Sequence, residues 1–371
     1  MNECINTFQT AVKYTLTSKE KEQAIVDEIV GGTAPINATL YQSYADNLRR
    51  AVDRVFAEDD GSGLSDRLRA NTSRFAAYKA YHATRLVREE AATGDARRVL
   101  HTFNRYQAAE YNTTVNRCRT AKQWGEFADP DHMRLFPNLR WLPSRSATPR
   151  EEHIKFYYRV WAKNDPFWQQ NQPGNLWNCK CDWEETDDPC TDGNPTTPVR
   201  SNGLDGNPAL TGQVFTDKHA YFAECSKTQQ KKLANYIGDK ILRHESKQSL
   251  KKIQGSTVVI DKQGEKIEVL FDSKTTSHLS NDIARDAKFF WNELLRDTPN
   301  VLKKSRLVAH ETNTKNDDKP SAVEYFYYEY RTKTELLYFS VEENFIKNEK
   351  RHFYRLYAIS HTLRNSAIRY K

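Results

Sequence analysis

The chain has 371 residues, of which 38% are hydrophobic, 28% charged and 12% aromatic, with a formal net charge of +7. More than one domain is expected at this length, because a single hydrophobic core rarely grows beyond about 250 residues. No run approaches the roughly 18 apolar residues that span a bilayer, and the first residues lack the layout of a signal peptide. We therefore expect a globular protein of a reducing cytosol, with no membrane partner and no disulfide framework.

The patterns along the chain predict an α+β multidomain fold. It combines a helical N-terminal region, a loop-rich Cys/His middle segment, and a C-terminal helix packed on an antiparallel β-sheet. The predicted boundaries are 1–130 for the helical region, 131–222 for the Cys/His segment with a Pro/Gly-rich linker, 223–246 for a connecting helix, and 247–371 for a basic α+β domain.

The helical region shows apolar residues at helical spacing in "YADNLRRAVDRVFAE" and in the long stretch from Ser73 to Ala128. "DDGSG" at 59–63 separates the first of these helices from the second. This pattern is typical of a bundle or of a surface that docks on a partner. His82 and His101 lie within the helices, and we expect them to be packing or surface residues.

The middle segment contains "PGNLWNCKCDWEE" at 173–185, where Cys179 and Cys181 are one residue apart. A disulfide between them would close a strained ring. Buried small residues, a redox pair and metal ligands remain as explanations. Metal binding needs further donors, and His153 upstream offers an imidazole, while Cys190 and Cys225 lie downstream. It also needs a turn at Lys180, because an extended strand would point the two thiols to opposite faces.

The order of motifs in this segment resembles the phage Mu F-like family of minor head proteins, also called head morphogenesis proteins. "RSATPREEH" at 145–153, "DPFW" at 165–168, Pro173 and "WNCKC" at 177–181 carry the resemblance. Lys180 replaces the usual Arg, and Gly174 replaces a second proline. The resemblance is close over about 135–185 and looser over the helices before it.

The resemblance implies a phage or prophage head protein, present in few copies near the portal, that helps head assembly or DNA packaging. Its partners would be the portal, other capsid proteins and packaged DNA, and its location the virion or the bacterial host cytoplasm. His153, Cys179 and Cys181 would then tie together a loop-rich segment with little core, either around a structural zinc ion or as a metal-free packed cluster.

The C-terminal domain is predicted to contain a hairpin around "KQGE", then a helix over "SHLSNDIARDAKFFWNELLRD" capped by Ser277 or Ser280. Four strand-like runs follow, "SRLVAHE", "SAVEYFYYEYR", "TELLYFSVEE" and "RHFYRLYAISH". The last 25 residues hold seven Lys and Arg against one Glu, interleaved with aromatic residues, which indicates a polyanion such as nucleic acid as a partner.

The arrangement of this domain resembles the barnase, EndoU, colicin and RelE-like group of metal-independent RNases, which are found attached to phage head proteins. The resemblance implies an RNA substrate, tRNA among the possibilities, and no cofactor for catalysis. Such enzymes need a base, an acid and cations around the phosphorane. The candidates are His278 and His361 as acid and base, Arg285 and Arg355 as phosphate ligands, and Ser360 and Thr362 as hydrogen-bond donors.

Strict alternation along the last strand would place Tyr354, Ser360 and Thr362 on one face, and Arg355 and His361 on the other. His310 and His352 are expected to be structural. A purely structural head protein, whose basic tail binds DNA or the portal, is the alternative to an RNase. An ADP-ribosyltransferase is less favoured, and no motif supports an NTPase, a zincin or an α/β-hydrolase.

Overall fold

The computed structural model describes residues 19–57, 63–285, 287–313, 321–332 and 335–370. About 49% of the chain is helical and 19% is in strands, so the predicted α+β class is confirmed. No helix within these described ranges is long and apolar enough to cross a membrane. Most of the predicted "DDGSG" break lies outside the described residues.

The chain divides into two compact units. Unit 1 contains residues 67–228 and the described residues up to 57, whereas unit 2 starts at Gln229 and takes in a short piece at 63–66. The described residues of the predicted helical region, apart from 63–66, and the predicted Cys/His segment therefore lie within one unit. The predicted connecting helix at 223–246 is divided between the two units.

Unit 1 begins with helices, which are α1 (Lys19–Gly31), α2 (Ala38–Asp53), α3 (Leu64–Glu90), α4 (Ala96–Arg105), α5 (Gln107–Phe127) and α6 (Pro130–Leu135). The side chain of Asn37 caps α2 by accepting the Leu40 backbone N–H at 2.9 Å. A buried ion pair joins Lys79 on α3 to Glu110 on α5, with Nζ and Oε2 2.6 Å apart. Such a pair holds two helices together only while both charges are present.

The rest of unit 1 contains a small sheet and short helices. The three-stranded antiparallel sheet has the order β2-β1-β3. Its strands are β1 (Asn138–Leu142), β2 (Val160–Ala162) and β3 (Asp182–Thr186), and the short helices are α7 (Glu151–Ile154), α8 (Phe167–Gln170), α9 (Pro208–Thr211) and α10 (Ala220–Ala223).

The Pro/Gly-rich stretch at 184–217 was predicted as a loop or linker, but the structure shows an irregular segment packed into unit 1. Phe215 is fully buried and exchanges two hydrogen bonds of 2.9 Å with the side chain of Asn71 on α3. The buried guanidinium of Arg117 on α5 donates to the carbonyls of Leu204, Asp205, Gly206 and Gln213. These side chains satisfy backbone groups that lack a secondary-structure partner, so the segment is ordered without strands.

Unit 2 begins with a helical layer. Its helices are α11 (Lys227–Tyr236), a π-helical turn (Ile237–Leu242), α12 (Arg243–Lys251), α13 (Ser273–Ala284), α14 (Phe289–Leu294), a 3-10 turn (Leu295–Asp297) and α15 (Thr298–Lys304). The predicted single helix at 277–297 is wrong, because the chain leaves the helix after Ala284 and Ala287 adopts φ +50°. The predicted caps are wrong too: Asp272 caps α13 in a capping box with Thr275.

The second element of unit 2 is a seven-stranded sheet of order β10-β6-β7-β8-β9-β5-β4. Its strands are β4 (Thr257–Lys262), β5 (Glu265–Leu270), β6 (Arg306–Thr312), β7 (Ala322–Arg331), β8 (Leu336–Ile346), β9 (Arg351–Ser360) and β10 (Ile368–Arg369). The predicted hairpin and all four predicted strands are confirmed. The sheet is antiparallel except for the parallel pair β5–β9, and α13 packs on it, with the Thr275 hydroxyl donating to the Leu356 carbonyl at 2.7 Å.

Candidate metal centre and the predicted catalytic residues

Short elements of unit 1 bring the three predicted metal ligands together. His153 lies on α7, while Cys179 and Cys181 lie between a turn and the start of β3. The turn occurs at Asn178, whose φ of +55° is the left-handed conformation that Asn tolerates, and not at Lys180 as predicted. It reverses the chain enough for both thiols to face the same imidazole.

The distances in this cluster match those of a metal site. The Nδ1 atom of His153 lies 3.3 Å from Cys179 Sγ and 3.6 Å from Cys181 Sγ, and all three donors lie within 4.8 Å of one another. A tetrahedral zinc ion with bonds of about 2.3 Å to sulfur and 2.05 Å to nitrogen separates N from S by about 3.6 Å. The three residues are 0%, 5% and 0% exposed, so a bound ion would be shielded from water.

Hydrogen bonds around the cluster orient the donors toward one point. The Nε2 atom of His153 lies 2.8 Å from Asn175 Oδ1. When Nε2 carries the proton and donates to this oxygen, Nδ1 is unprotonated and its lone pair faces the two sulfurs. Backbone N–H groups of Gly174 and Cys181 each donate to Cys179 Sγ at 3.4 Å. Two sulfur atoms and one nitrogen lone pair therefore point at the same position. Zinc binds to this set of donor atoms.

The two thiols differ in their acidity. The hydrogen bond from Cys181 and the nearby His153 ring hold the pKa of Cys179 well below its usual range, although burial opposes this. The same contact, together with burial, raises the pKa of Cys181. The cluster alone therefore favours one thiolate and one thiol. A bound cation would favour the second thiolate as well, because its charge stabilises the deprotonated sulfur.

An aromatic core surrounds the cluster, so the prediction of a segment with little core is wrong. The Trp141 ring lies 5.0 Å from the His153 ring, edge to face. The Nε1 atom of Trp141 and the hydroxyl of Tyr157 are also buried, and neither has a hydrogen-bond partner among the described residues. The buried residues are Leu139, Trp141, Phe156, Trp161, Phe167, Trp168, Leu176, Cys179, Cys181, Trp183 and Val199. A metal here would reinforce packing that the tryptophans already provide.

The other cysteines lie elsewhere. Cys190 is exposed, and Cys225 lies 3.6 Å from the His82 ring. Among the described residues, His153, Cys179 and Cys181 are the group that could hold a metal ion. Zinc takes four ligands in structural sites, and these three residues would supply three of them.

Three of the six predicted catalytic residues lie on helix α13 and strand β9, and the other three follow directly after the ends of these elements. His278 lies within α13, not ahead of it, and its ring is 4.6 Å from the Tyr357 ring. Arg285 follows the last residue of α13 and is exposed, with its guanidinium 4.0 Å from Asp282. Asp282 is a nearby residue that was not predicted from the sequence. Burial raises the pKa of its carboxyl group, and the backbone N–H of Ile359 opposes this shift. No pattern in the sequence distinguishes it from other helix carboxylates.

Arg355 is buried in a network of its own. Its guanidinium forms ion pairs with Asp272 at 3.0 Å and Glu342 at 3.1 Å, and donates to Asn344 at 2.9 Å. A phosphate would have to displace two carboxylates from a side chain that is 5% exposed. These contacts favour a role for Arg355 in joining α13 to the sheet.

A bulge in β9 changes the predicted alternation. Ser340 pairs with Ala358 and Val341 with Leu356, so Tyr357 is the extra residue. Ser360 therefore shares a face with Arg355 and not with Tyr354. The Ser360 hydroxyl donates to the Thr362 carbonyl at 2.8 Å, Thr362 itself is exposed, and His361 lies beyond β9 with its ring 5.0 Å from Trp291.

The opposite face of the sheet holds ionisable residues that the sequence analysis set aside. His310 pairs with Glu324, and His352 pairs with Glu343 at 2.7 Å. The sequence contains a pattern that points to these residues: Glu324 and Glu343 interrupt strands that are otherwise rich in aromatic and apolar residues.

Comparison with known proteins links the chain to phage heads. It is 31% identical over 91 residues to a protein of Escherichia phage Mu described as "Putative capsid assembly protein F". The match covers 24% of this chain and 20% of that protein, so the chain spans about a fifth of the length of the relative it matches. No family model matches the chain. No solved structure matches it either.

Proposed function

We propose that the chain is a minor head protein of a phage or prophage that takes part in capsid assembly. The similarity to the phage Mu protein carries this proposal. The geometry of unit 1 supports it, because His153 and the two cysteines of "WNCKC" converge, as expected if those motifs form one module. The proposed partners are the portal, other capsid proteins and packaged DNA, in the virion or the host cytoplasm.

In this proposal the Cys/His cluster has a structural role. Zinc held by His153, Cys179 and Cys181 would fix α7 against the start of β3 and would leave one coordination position open.

The proposal can be tested on particles from a host that carries the phage. We expect the chain to co-purify with assembled heads in few copies, and Cys179→Ser and Cys181→Ser to reduce its incorporation. Cys118→Ser is the matched control, because Cys118 is a buried thiol of unit 1 outside the cluster. Filled heads that form normally when the chain is deleted would contradict the assembly role.

We infer a second function for unit 2, the cleavage of RNA without a metal. The observation that favours it is a face of the β-sheet on which two imidazoles and an ammonium group lie beside glutamates. Non-catalytic binding of packaged DNA by the basic C-terminal stretch is the alternative. Incubation of the full chain with tRNA in a chelating buffer separates the two, since only an RNase yields shortened products.

A further inference from the structure

The sheet of unit 2 curls so that one of its faces is concave. Strand β4 forms one edge of the sheet and lies four positions from β7 in the strand order. The Tyr328 hydroxyl on β7 nevertheless donates to the Asp261 carbonyl on β4 at 3.0 Å, a contact that a flat sheet could not make. A cavity of about 370 Å³ lies between the ends of β4 and β6. Its lining residues are Asp261, Gln263, Ser305, Arg306, Leu307 and Tyr370.

A first group of polar side chains lines this concave face around Glu343. The Glu343 carboxylate receives Lys262 Nζ at 3.2 Å and the Tyr354 hydroxyl at 3.3 Å, and lies 2.7 Å from His352 Nδ1. Lys262 also donates to the Tyr354 hydroxyl at 3.1 Å and lies over the Phe326 ring. The carboxylate side chain is 10% exposed, whereas that of His352 is 48% exposed, so the imidazole is the member that solvent and substrate reach.

A second group lies beside the first. Glu324 is directly opposite Glu343 in the β7–β8 register, so the two side chains share a face. Glu324 lies within hydrogen-bonding distance of Nδ1 of His310, and the Tyr370 ring stacks on the His310 ring at 5.0 Å. Tyr370 also lines the cavity. Tyr370 therefore connects the second group to the cavity, and the Glu324–Glu343 register connects the second group to the first.

We propose that this concave face is the active centre of unit 2, with His310 and His352 as catalytic acid and base in the cleavage of single-stranded RNA. The inference rests on the second proposed function and replaces His278 and His361 as the catalytic pair. Each imidazole is held through Nδ1 by a glutamate, which leaves Nε2 as the atom that exchanges protons. Glu324 and Glu343 are positioning residues, and Lys262 supplies positive charge.

The reaction needs no further reactant. A neutral imidazole takes the proton of a ribose 2′-OH, and the 2′-oxygen forms a bond to phosphorus. The bond between phosphorus and the 5′-oxygen breaks, and the second imidazole, initially protonated, gives its proton to that oxygen. The products are a 2′,3′-cyclic phosphate and a 5′-hydroxyl. Lys262 stabilises the charge that develops on the phosphorane oxygens.

RNA is the substrate class that this chemistry fits. The nucleophile lies within the substrate, so acid, base and ammonium groups are sufficient. The cavity lies within the size range of small-ligand sites, and it offers the Tyr370 ring for stacking of a base and the Arg306 guanidinium for a phosphate. The surrounding C-terminal stretch is strongly basic, which attracts a polyanion.

The test uses the full chain with total tRNA in a chelating buffer, and it measures the formation of cyclic phosphate ends. His310→Ala and His352→Ala should each reduce the rate by about 100-fold or more, and added imidazole should restore part of it. His244→Ala is the matched control, because His244 is an exposed histidine of α12. Glu343→Gln should shift the pH–rate profile and reduce the rate less than His352→Ala does, because Gln retains a hydrogen bond to His352 without the charge.

The possible outcomes are distinguishable. No cleavage by the unaltered chain removes the second proposed function, and this inference with it. Cleavage that survives both substitutions, but is lost in His278→Ala or His361→Ala, overturns this inference and leaves the RNase function. Thermal melts show whether each variant folds. If an alanine variant does not, His310→Gln and His352→Gln replace it, and unchanged cleavage in those variants equally overturns the inference.

Discussion

Under the proposed zinc binding by His153, Cys179 and Cys181, removal of the ion should destabilise unit 1. The donor distances of 3.3 and 3.6 Å are close to the roughly 3.6 Å that tetrahedral zinc imposes, so little rearrangement is needed for binding. The stabilisation is set by the free zinc concentration relative to the dissociation constant. It is about 2.7 kcal/mol at a 100-fold excess and about 4.1 kcal/mol at a 1,000-fold excess.

This free energy converts to a shift in melting temperature. For a unit of about 200 residues, each kcal/mol changes the midpoint by about 2–4 °C. We therefore expect a chelator to lower the melting temperature of unit 1 by about 5–16 °C, and added zinc to restore it. Elemental analysis should find one zinc per chain, and none in Cys179→Ser or Cys181→Ser.

The control separates loss of metal from loss of packing. Cys118→Ser also alters a buried thiol of unit 1 and is expected to lower stability, but it should retain one zinc and the same response to chelator. The reasoning is refuted if the purified chain holds no stoichiometric metal and its melting temperature is the same with and without chelator. The cluster would then be a packed, metal-free pair of thiols on an imidazole.

Three further predictions concern stability and are read by thermal or denaturant unfolding. Gly238→Ala should destabilise unit 2 by about 1–3 kcal/mol or more, because the added Cβ would overlap a carbonyl oxygen of α13. As a control, Gly125→Ala on the exposed face of α5 should stabilise the protein by about 0.5–1 kcal/mol. Equal effects of the two substitutions would contradict the close approach of Gly238 to α13. Lys79→Met should cost about 3–5 kcal/mol by leaving Glu110 charged and buried, and adding Glu110→Gln should recover most of the loss. Burial lowers the pKa of His219 to about 4, below its value of about 6.5 in the unfolded chain, so the unfolded chain binds more protons between these two pH values. The free energy of unfolding should therefore fall by up to about 3 kcal/mol from pH 6.5 to pH 4. His219→Asn should remove this contribution to the pH dependence of stability.

Local patterns were sufficient to predict most elements of unit 2. The hairpin around "KQGE" and the four later strands follow from alternation and from β-branched and aromatic residues, which act over a few neighbours. The helix at 277–297 failed because its apolar periodicity continues across Ala287, where the backbone turns to a positive φ. The cap failed because Asp272 precedes the periodic stretch, and its hydrogen bond to Thr275 is specific to the observed turn.

The cluster of His153, Cys179 and Cys181 was likewise predictable only in part. Residue type made His153, Cys179, Cys181, Cys190 and Cys225 candidate donors, because thiolate and imidazole chemistry can be read from the sequence. The resemblance to Mu F-like head proteins implied the set of His153, Cys179 and Cys181, which the structure brings together. In the aromatic core around them, Trp141 contacts Phe156 and Trp168, which are 15 and 27 positions away. Arg117 binds carbonyls of the Pro/Gly-rich segment that are 87 to 96 positions away. Periodicity carries no information about such contacts.

By itself, the sequence determined the α+β class and the strands of the C-terminal unit, and it supplied His153, Cys179 and Cys181 as candidate metal donors, since each depends on residue chemistry or on neighbours along the chain. The tertiary structure decided which ionisable groups share a site. A one-residue bulge at Tyr357 reversed the faces assigned to the end of β9, and the curl of the sheet brought Lys262 from the edge strand to Glu343. Both effects arise from how strands pair and twist over the whole sheet, and no local pattern encodes them.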